Sequence, residues 1–235
     1  MQADLETLLA LQSDDDTIAE LERQRQAIDR RAGDLDRQRQ FAADAVARAR
    51  AAAEAEERRQ LELSGRVATH KEMHDRNLAR FDAVRKLRDA NAAMAQAELT
   101  RKVLADEESE LQTIGRRLHD LRQSIQAQES ALADVEAEQA EPRERLAEER
   151  ETLDRALAEA RAKRAQTASA VARPLLARYD KIRARRGADA VYALRGPSCG
   201  NCDTAIPLQR RHQMQASGAI EVCEACGVLL YATNG

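Results

Sequence analysis

From Ile18 onward, apolar residues return at steps of three and four: Ile18, Leu21, Ile28, Ala32, Leu35, Ala42, Val46, Ala49, Ala53, Leu63, Val67, Phe81 and Val84. Polar and charged residues fill most of the gaps, and Arg25 and Arg39 interrupt the apolar series. Such a stripe is a heptad seam, the pattern of a helix that lies against another helix. A second series runs through Ala97, Leu104, Leu111, Ile114, Leu118, Leu121, Ile125, Leu132, Val135, Leu146 and Leu153. Projected backwards it lands on Ala79, Ala83, Ala90 and Ala93, out of phase with the first. A phase break between Val84 and Ala93 predicts two helices joined by a turn.

A turn near 85–90 gives two arms of matching length, residues 2–85 and 90–186, so that each buries the other's seam. Asp89 or Asn91 is then the expected N-cap. A turn at 64–70 is the alternative: Gly65 weakens the helix there, and Thr69 with Glu72 has capping-box spacing. That placement leaves Leu146 and Leu153 without a partner in the chain. Pro142 removes a helical hydrogen bond. It is expected to bend helix 2 opposite Gly33, with a full helix break as the alternative. Residues 1–186 thus read as a long antiparallel coiled-coil hairpin in a mainly α fold.

The pattern changes after Arg186. Ala190-Val191-Tyr192-Ala193-Leu194, Ala219-Ile220-Glu221-Val222 and Val228-Leu229-Leu230-Tyr231 read as short strands bounded by Gly and Pro. Between them lie Cys199-Gly-Asn-Cys202 and Cys223-Glu-Ala-Cys226, a CxxC pair separated by 20 residues. Two such turns bring four thiolates to one ion, and the spacing falls in the range of structural four-cysteine zinc sites. Gly200, Asn201, Asp203 and Gly227 suit the tight turns. Residues 187–235 are therefore expected to form a small β zinc ribbon with one structural zinc on Cys199, Cys202, Cys223 and Cys226. Iron can use the same ligands, and disulfide pairing is the remaining alternative.

Composition narrows the choices of function. Aromatic residues make up 2% of the chain against 34% charged, with no Trp, which excludes a large globular core. No apolar run approaches the roughly 20 residues that cross a bilayer, and the start, Met1-Gln-Ala-Asp-Leu-Glu, lacks the basic and apolar regions of a signal peptide. Cytoplasmic location and no membrane partner are the expectations. The net charge of -3 is uneven: residues 173–186 carry six basic side chains and one acidic. Arg173, Arg178, Lys181, Arg183, Arg185 and Arg186, with Arg195, Arg210 and Arg211, are candidate phosphate- or partner-binding residues. Cations at a helix C-terminus also complement its dipole.

The C-terminal residues resemble those of a bacterial family of coiled-coil proteins that end in a C4-type zinc ribbon, long catalogued as a domain of unknown function. The resemblance rests on Tyr179-Asp-Lys-Ile182-Arg183 before the first CxxC, Ile206-Pro207-Leu208-Gln209 after it, and Cys223-Glu-Ala-Cys226-Gly-Val-Leu-Leu-Tyr231. Val228 stands where that family usually carries a basic residue. The stretches Val84–Ala93 and Ser64–Glu72 each resemble the family's hairpin tip. The resemblance implies a non-enzymatic cytoplasmic protein whose relatives are interaction factors for sigma-54, for flagellar or type III secretion components, and in some cases for mRNA.

Other constellations carry less. His70 and His74 are four apart as in zincin helices, but Glu72 is misplaced for that motif and both fall on the seam. His70-Lys-Glu72 has the HxE of zinc deaminases without their PCxxC, because Ser198 separates Pro197 from Cys199. The sequence offers no Gly-rich phosphate loop and no nucleophile elbow. The resulting expectation is a non-enzymatic adaptor or chaperone-like protein that binds protein partners. An RNA- or DNA-binding regulator is the alternative, and self-association through the coil is a further possibility.

Overall fold

A computed structural model describes residues 2–233. Two long helices, α1 (Gln2–Ala83) and α2 (Leu87–Ala170), are followed by a short α3 (Arg173–Arg186). Then come β1 (Val191–Arg195), β2 (Ser198–Cys199), α4 (Leu208–Ser217), β3 (Glu221–Val222) and β4 (Leu229–Tyr231). The chain is mainly α, a long antiparallel helical hairpin with a small C-terminal sheet. It divides into two compact units: Met1–Gly33 with Arg143–Gly235, and Asp34–Pro142.

The unit Asp34–Pro142 is hairpin alone. Val46, Ala53 and Leu63 of α1 and Ala93, Ala97, Ile114 and Leu118 of α2 are its buried apolar residues. Charged residues flank them in cross-helix pairs whose numbers run in opposite directions: Arg39–Glu136, Arg50–Glu129, Arg122–Glu57 and Arg66–Glu107. That order is the signature of antiparallel arms. The seam residue Arg39 is exposed at the edge of the stripe and pairs with Glu136 Oε1 at 2.7 Å. His70 Nδ1 likewise meets Glu107 Oε2 at 2.7 Å, and His74 contacts the adjacent Asp75. Neither histidine joins a metal-ligating group among the described residues.

The turn is residues 84–86, where the two apolar series lose phase. The chain is helical throughout Ser64–Glu72, so the alternative tip at 64–70 does not occur. Thr69 Oγ1 donates back to the Gly65 carbonyl at 3.0 Å instead of capping a new helix. Asp89 and Asn91 are not the N-cap either. The Lys86 carbonyl accepts from the amides of Asp89 and Ala90, which puts Asp89 inside the first turn, where its charge favours the helix N-terminus. Pro142 lies within a continuous α2, so the alternative of a full helix break does not occur.

In the other unit α1 and α2 bury Leu8, Leu11, Ile18, Ile28 and Leu157. Helix 2 does not continue to residue 186. Ala172 is non-helical (φ -56°, ψ 128°), and Pro174, which has no N–H and restricts the residue before it, occupies the first turn of α3. Leu8, Leu11, Ala168, Val171, Tyr179, Ala190, Val191 and Leu229 then form one cluster, so the sheet is founded on the helices' base. The sheet order is β2-β1-β4-β3, with β1 parallel to β4 and both other pairs antiparallel.

Candidate metal centre

The first cysteine turn grows out of β2 and the second out of β3. In each, the amide of the residue after the CxxC donates to the first cysteine's carbonyl: Asp203 to Cys199 at 3.0 Å, Gly227 to Cys223 at 2.8 Å. In the other direction, the first cysteine's amide donates to a carbonyl just beyond the turn, that of Thr204 or Val228. The closing residues, Asp203 (φ 56°) and Gly227 (φ 79°), are left-handed. Gly200 has a different reason. A Cβ there would overlap the Ala193 carbonyl oxygen of β1, so the knuckle can lie this close to the strand only with glycine. β2 and α4 were not legible as elements. Met214 of α4 is buried with Cys199, Cys223, Ile206, Val228 and Leu230 beneath the knuckles.

This architecture gathers Cys199, Cys202, Cys223 and Cys226 so that their Sγ atoms all lie within 4.8 Å of one another. Cys199–Cys226 and Cys202–Cys223 are 3.7 and 3.8 Å apart. A tetrahedron with metal–sulfur bonds of about 2.3 Å has edges of about 3.8 Å, so the sulfurs fit one tetrahedral ion. Those separations are far beyond a disulfide bond, and all four cysteines are free. The Asn201 amide and its side-chain Nδ2 donate to Cys199 Sγ and Cys226 Sγ, each at 3.4 Å, hydrogen bonds that favour thiolate. Burial pushes the Cys199 thiol up to about 12. Hydrogen bonding with Thr204 brings Cys202 down to about 6. A metal ion must therefore displace protons to bind.

The nine candidate basic residues fall into separate groups. Arg183 Nε pairs with the buried Asp15 at 2.9 Å. Arg195 pairs with Asp203, and Arg210 with Glu221 and Glu224. Arg211 Nε donates to the Ile206 carbonyl at 3.0 Å, and Arg173 stands at the start of α3. Arg178, Lys181, Arg185 and Arg186 come together with Ile182, Val222, Cys226 and Gly227 around a cavity of about 360 Å³.

Two groups at the base were not foreseen. Asp15, fully buried, accepts from Tyr179 Oη at 2.8 Å and from Arg164 Nε at 3.2 Å, besides its pair with Arg183. Gln12 inserts its amide against the sheet: Oε1 accepts from the Val191 amide at 2.6 Å and Nε2 donates to the Val191 carbonyl at 3.1 Å. A polar residue on an apolar helix face was the only sequence signal for either.

Fold and site define the class: an antiparallel helical hairpin carrying a small sheet that presents four cysteines in tetrahedral array. No family model matches the chain, and no curated protein does. Solved structures do. The chain is similar to CT398 of Chlamydia trachomatis, at a TM-score of 0.90 and 16% identity with 99% of each chain covered. It is also similar to HP0958 of Helicobacter pylori (TM-score 0.68, 12% identity, 99% of this chain and 98% of that one). A protein of Mycobacterium smegmatis matches at TM-score 0.68 and 20% identity, with 99% of each covered. At these identities the likeness is one of fold.

Proposed function

We propose that this chain is a non-enzymatic adaptor, or chaperone-like protein, of the cytoplasm: a coiled-coil hairpin (1–186) offering docking surface and a ribbon (187–235) held by one structural zinc. The observation that carries the reading is the closed tetrahedron. Four sulfurs at metal-binding separation leave an ion no open position, and closed sites of this kind build structure. Zinc fits an all-cysteine tetrahedral set, which is also used by iron. Among the described residues no helix is long and apolar enough to cross a membrane. Sigma-54 and flagellar or type III secretion components, the partners implied by the sequence resemblance, are the first to test. The experiment is metal analysis together with affinity purification of the intact chain and its Cys226→Ser variant. One zinc per chain and a partner retained by the intact protein support the reading. A ribbon-dependent catalytic turnover overturns it.

A second reading, nucleic-acid binding, is favoured by Arg178, Lys181, Arg185 and Arg186, which make no ion pair among the described residues and share one cavity. It predicts an RNA affinity that falls steeply with salt as counterions are released. Reversing those four charges should abolish it, and binding that survives the reversal removes the reading.

A further inference from the structure

The end of the hairpin has an inverted distribution of side chains. Seven of the eleven large apolar side chains that are exposed among the described residues fall in the stretch from Met73 to Val103. Leu87 is 78% exposed and Leu99 67%, while the residues that face inward on the same turns of α2 are Ala93, Ala97 and Thr100. Small residues thus fill the seam, and the bulky ones are left on the flanks. On α2, Leu87 and Met94 share one face by their spacing of seven, and Leu99 and Val103 another by their spacing of four. Leu78 and Phe81 of α1, three apart, add a third apolar pair. A single exposed leucine is ordinary; a concentration of this kind marks an interaction surface.

Charge says what covers it. Residues 80–102 hold six basic side chains (Arg80, Arg85, Lys86, Arg88, Arg101 and Lys102) and three acidic ones, in a chain whose net charge is -3. None of the six cations makes an ion pair among the described residues, whereas further along the same unit arginines are paired across the arms. Like charge opposes pairing of one tip with another. Shape argues against a membrane. Val103 lies 16 residues beyond Leu87, about 24 Å at ~1.5 Å per residue, and Asp89 and Glu98 lie between. Interfacial elements enter lipid by only about 5–10 Å. A helix laid side-on along one flank of the tip covers Leu87 and Met94 together.

We propose that the hairpin tip is a docking site for an acidic amphipathic helix of a partner protein, which lies along the flank that carries Leu87 and Met94 and completes a local three-helix bundle there. The proposal rests on the adaptor reading and adds the partner's chemistry and its place.

The test is fluorescence anisotropy of a labelled four-heptad peptide, with Leu at the two core positions and Glu on its outer faces, titrated with the full chain. A scrambled peptide of the same composition, vesicles of phosphatidylglycerol and phosphatidylcholine, and sedimentation of the chain alone are run beside it. Saturable binding of the patterned peptide alone is expected. It should weaken about tenfold or more in Leu87→Ser/Met94→Ser, and weaken with rising salt in the wild type. Phe41→Ser/Leu61→Ser, which removes two exposed apolar residues away from the tip, should leave it unchanged. No binding, equal binding of the scrambled peptide, equal loss in both double variants, or tip-dependent vesicle binding or self-association each overturns the proposal. A partner retained by a chain whose tip ignores the peptide keeps the adaptor reading and removes only the tip.

Discussion

Gly200 lies in a cysteine turn and Gly65 in the middle of α1, and the structure gives them opposite weights. At Gly200 an added methyl meets the Ala193 carbonyl, so Gly200→Ala should destabilise the knuckle by about 1–3 kcal/mol. A metal-competition titration should show weaker binding while far-ultraviolet circular dichroism of the helices is unchanged. At Gly65 nothing lies within 4 Å and the residue is helical, so Gly65→Ala should stabilise by about 0.5–1 kcal/mol, read as a higher urea midpoint. The four cysteines were legible because ligand spacing is written along the chain. Asp15 was not: its partners Arg164, Tyr179 and Arg183 lie on two other helices, and a polar residue on an apolar helix face is all that marks the position locally. Asp15→Ala leaves the buried Tyr179 hydroxyl and the partly exposed Arg183 without their acceptor, while Arg164 keeps Asp180 at 2.6 Å, and should cost about 1–3 kcal/mol in the base.

At the level of elements, the hairpin was readable because burial of a seam repeats a rule many times over. Ile114, Leu118 and Leu63 are buried as the two apolar series require. The turn was readable only as a loss of phase, since Val84, Arg85 and Lys86 carry none of the Gly or Pro chemistry of common turns. Single local signals were weaker guides. Thr69 with Glu72 had the spacing of a cap yet lies in mid-helix, while Pro174 ends one helix and starts another. The base of the hairpin also carries a pH dependence. Burial works against the Asp14 carboxylate, but hydrogen bonds from Lys163 and Thr167 and the charges of Lys163 and Arg164 outweigh it, so its pKa is lowered. A lowered carboxyl contributes stability above its unfolded pKa of about 3.9 and loses that contribution as pH falls through the folded value. Urea unfolding should therefore show no contribution from this group to pH dependence between 5 and 8. A fall in stability should begin below about pH 4, and Asp14→Asn should reduce it.

For the molecule as a whole, the proposed zinc raises the question of how far its removal would be felt. The sheet that carries the cysteines shares its apolar cluster with Leu8, Leu11, Val171 and Tyr179, and Gln12 bonds to β1. Those helical residues belong with the sheet to the unit of Met1–Gly33 and Arg143–Gly235, whereas Asp34–Pro142 is a unit with its own buried seam. A structural zinc contributes roughly 10–16 kcal/mol in small sites, more than a sheet of this size is able to replace. Chelation should therefore unfold the knuckles and sheet and loosen the helical residues that pack against them, leaving the second unit intact. Hydrogen exchange read by mass spectrometry tests this peptide by peptide. Protection should vanish over 187–233, fall over 5–15 and 168–186, and stay unchanged over 40–130. Uniform loss along α1 and α2 would show that the hairpin's stability depends on the metal centre; no change over 5–15 would show that the contacts of Gln12, Leu8 and Leu11 do not transmit it.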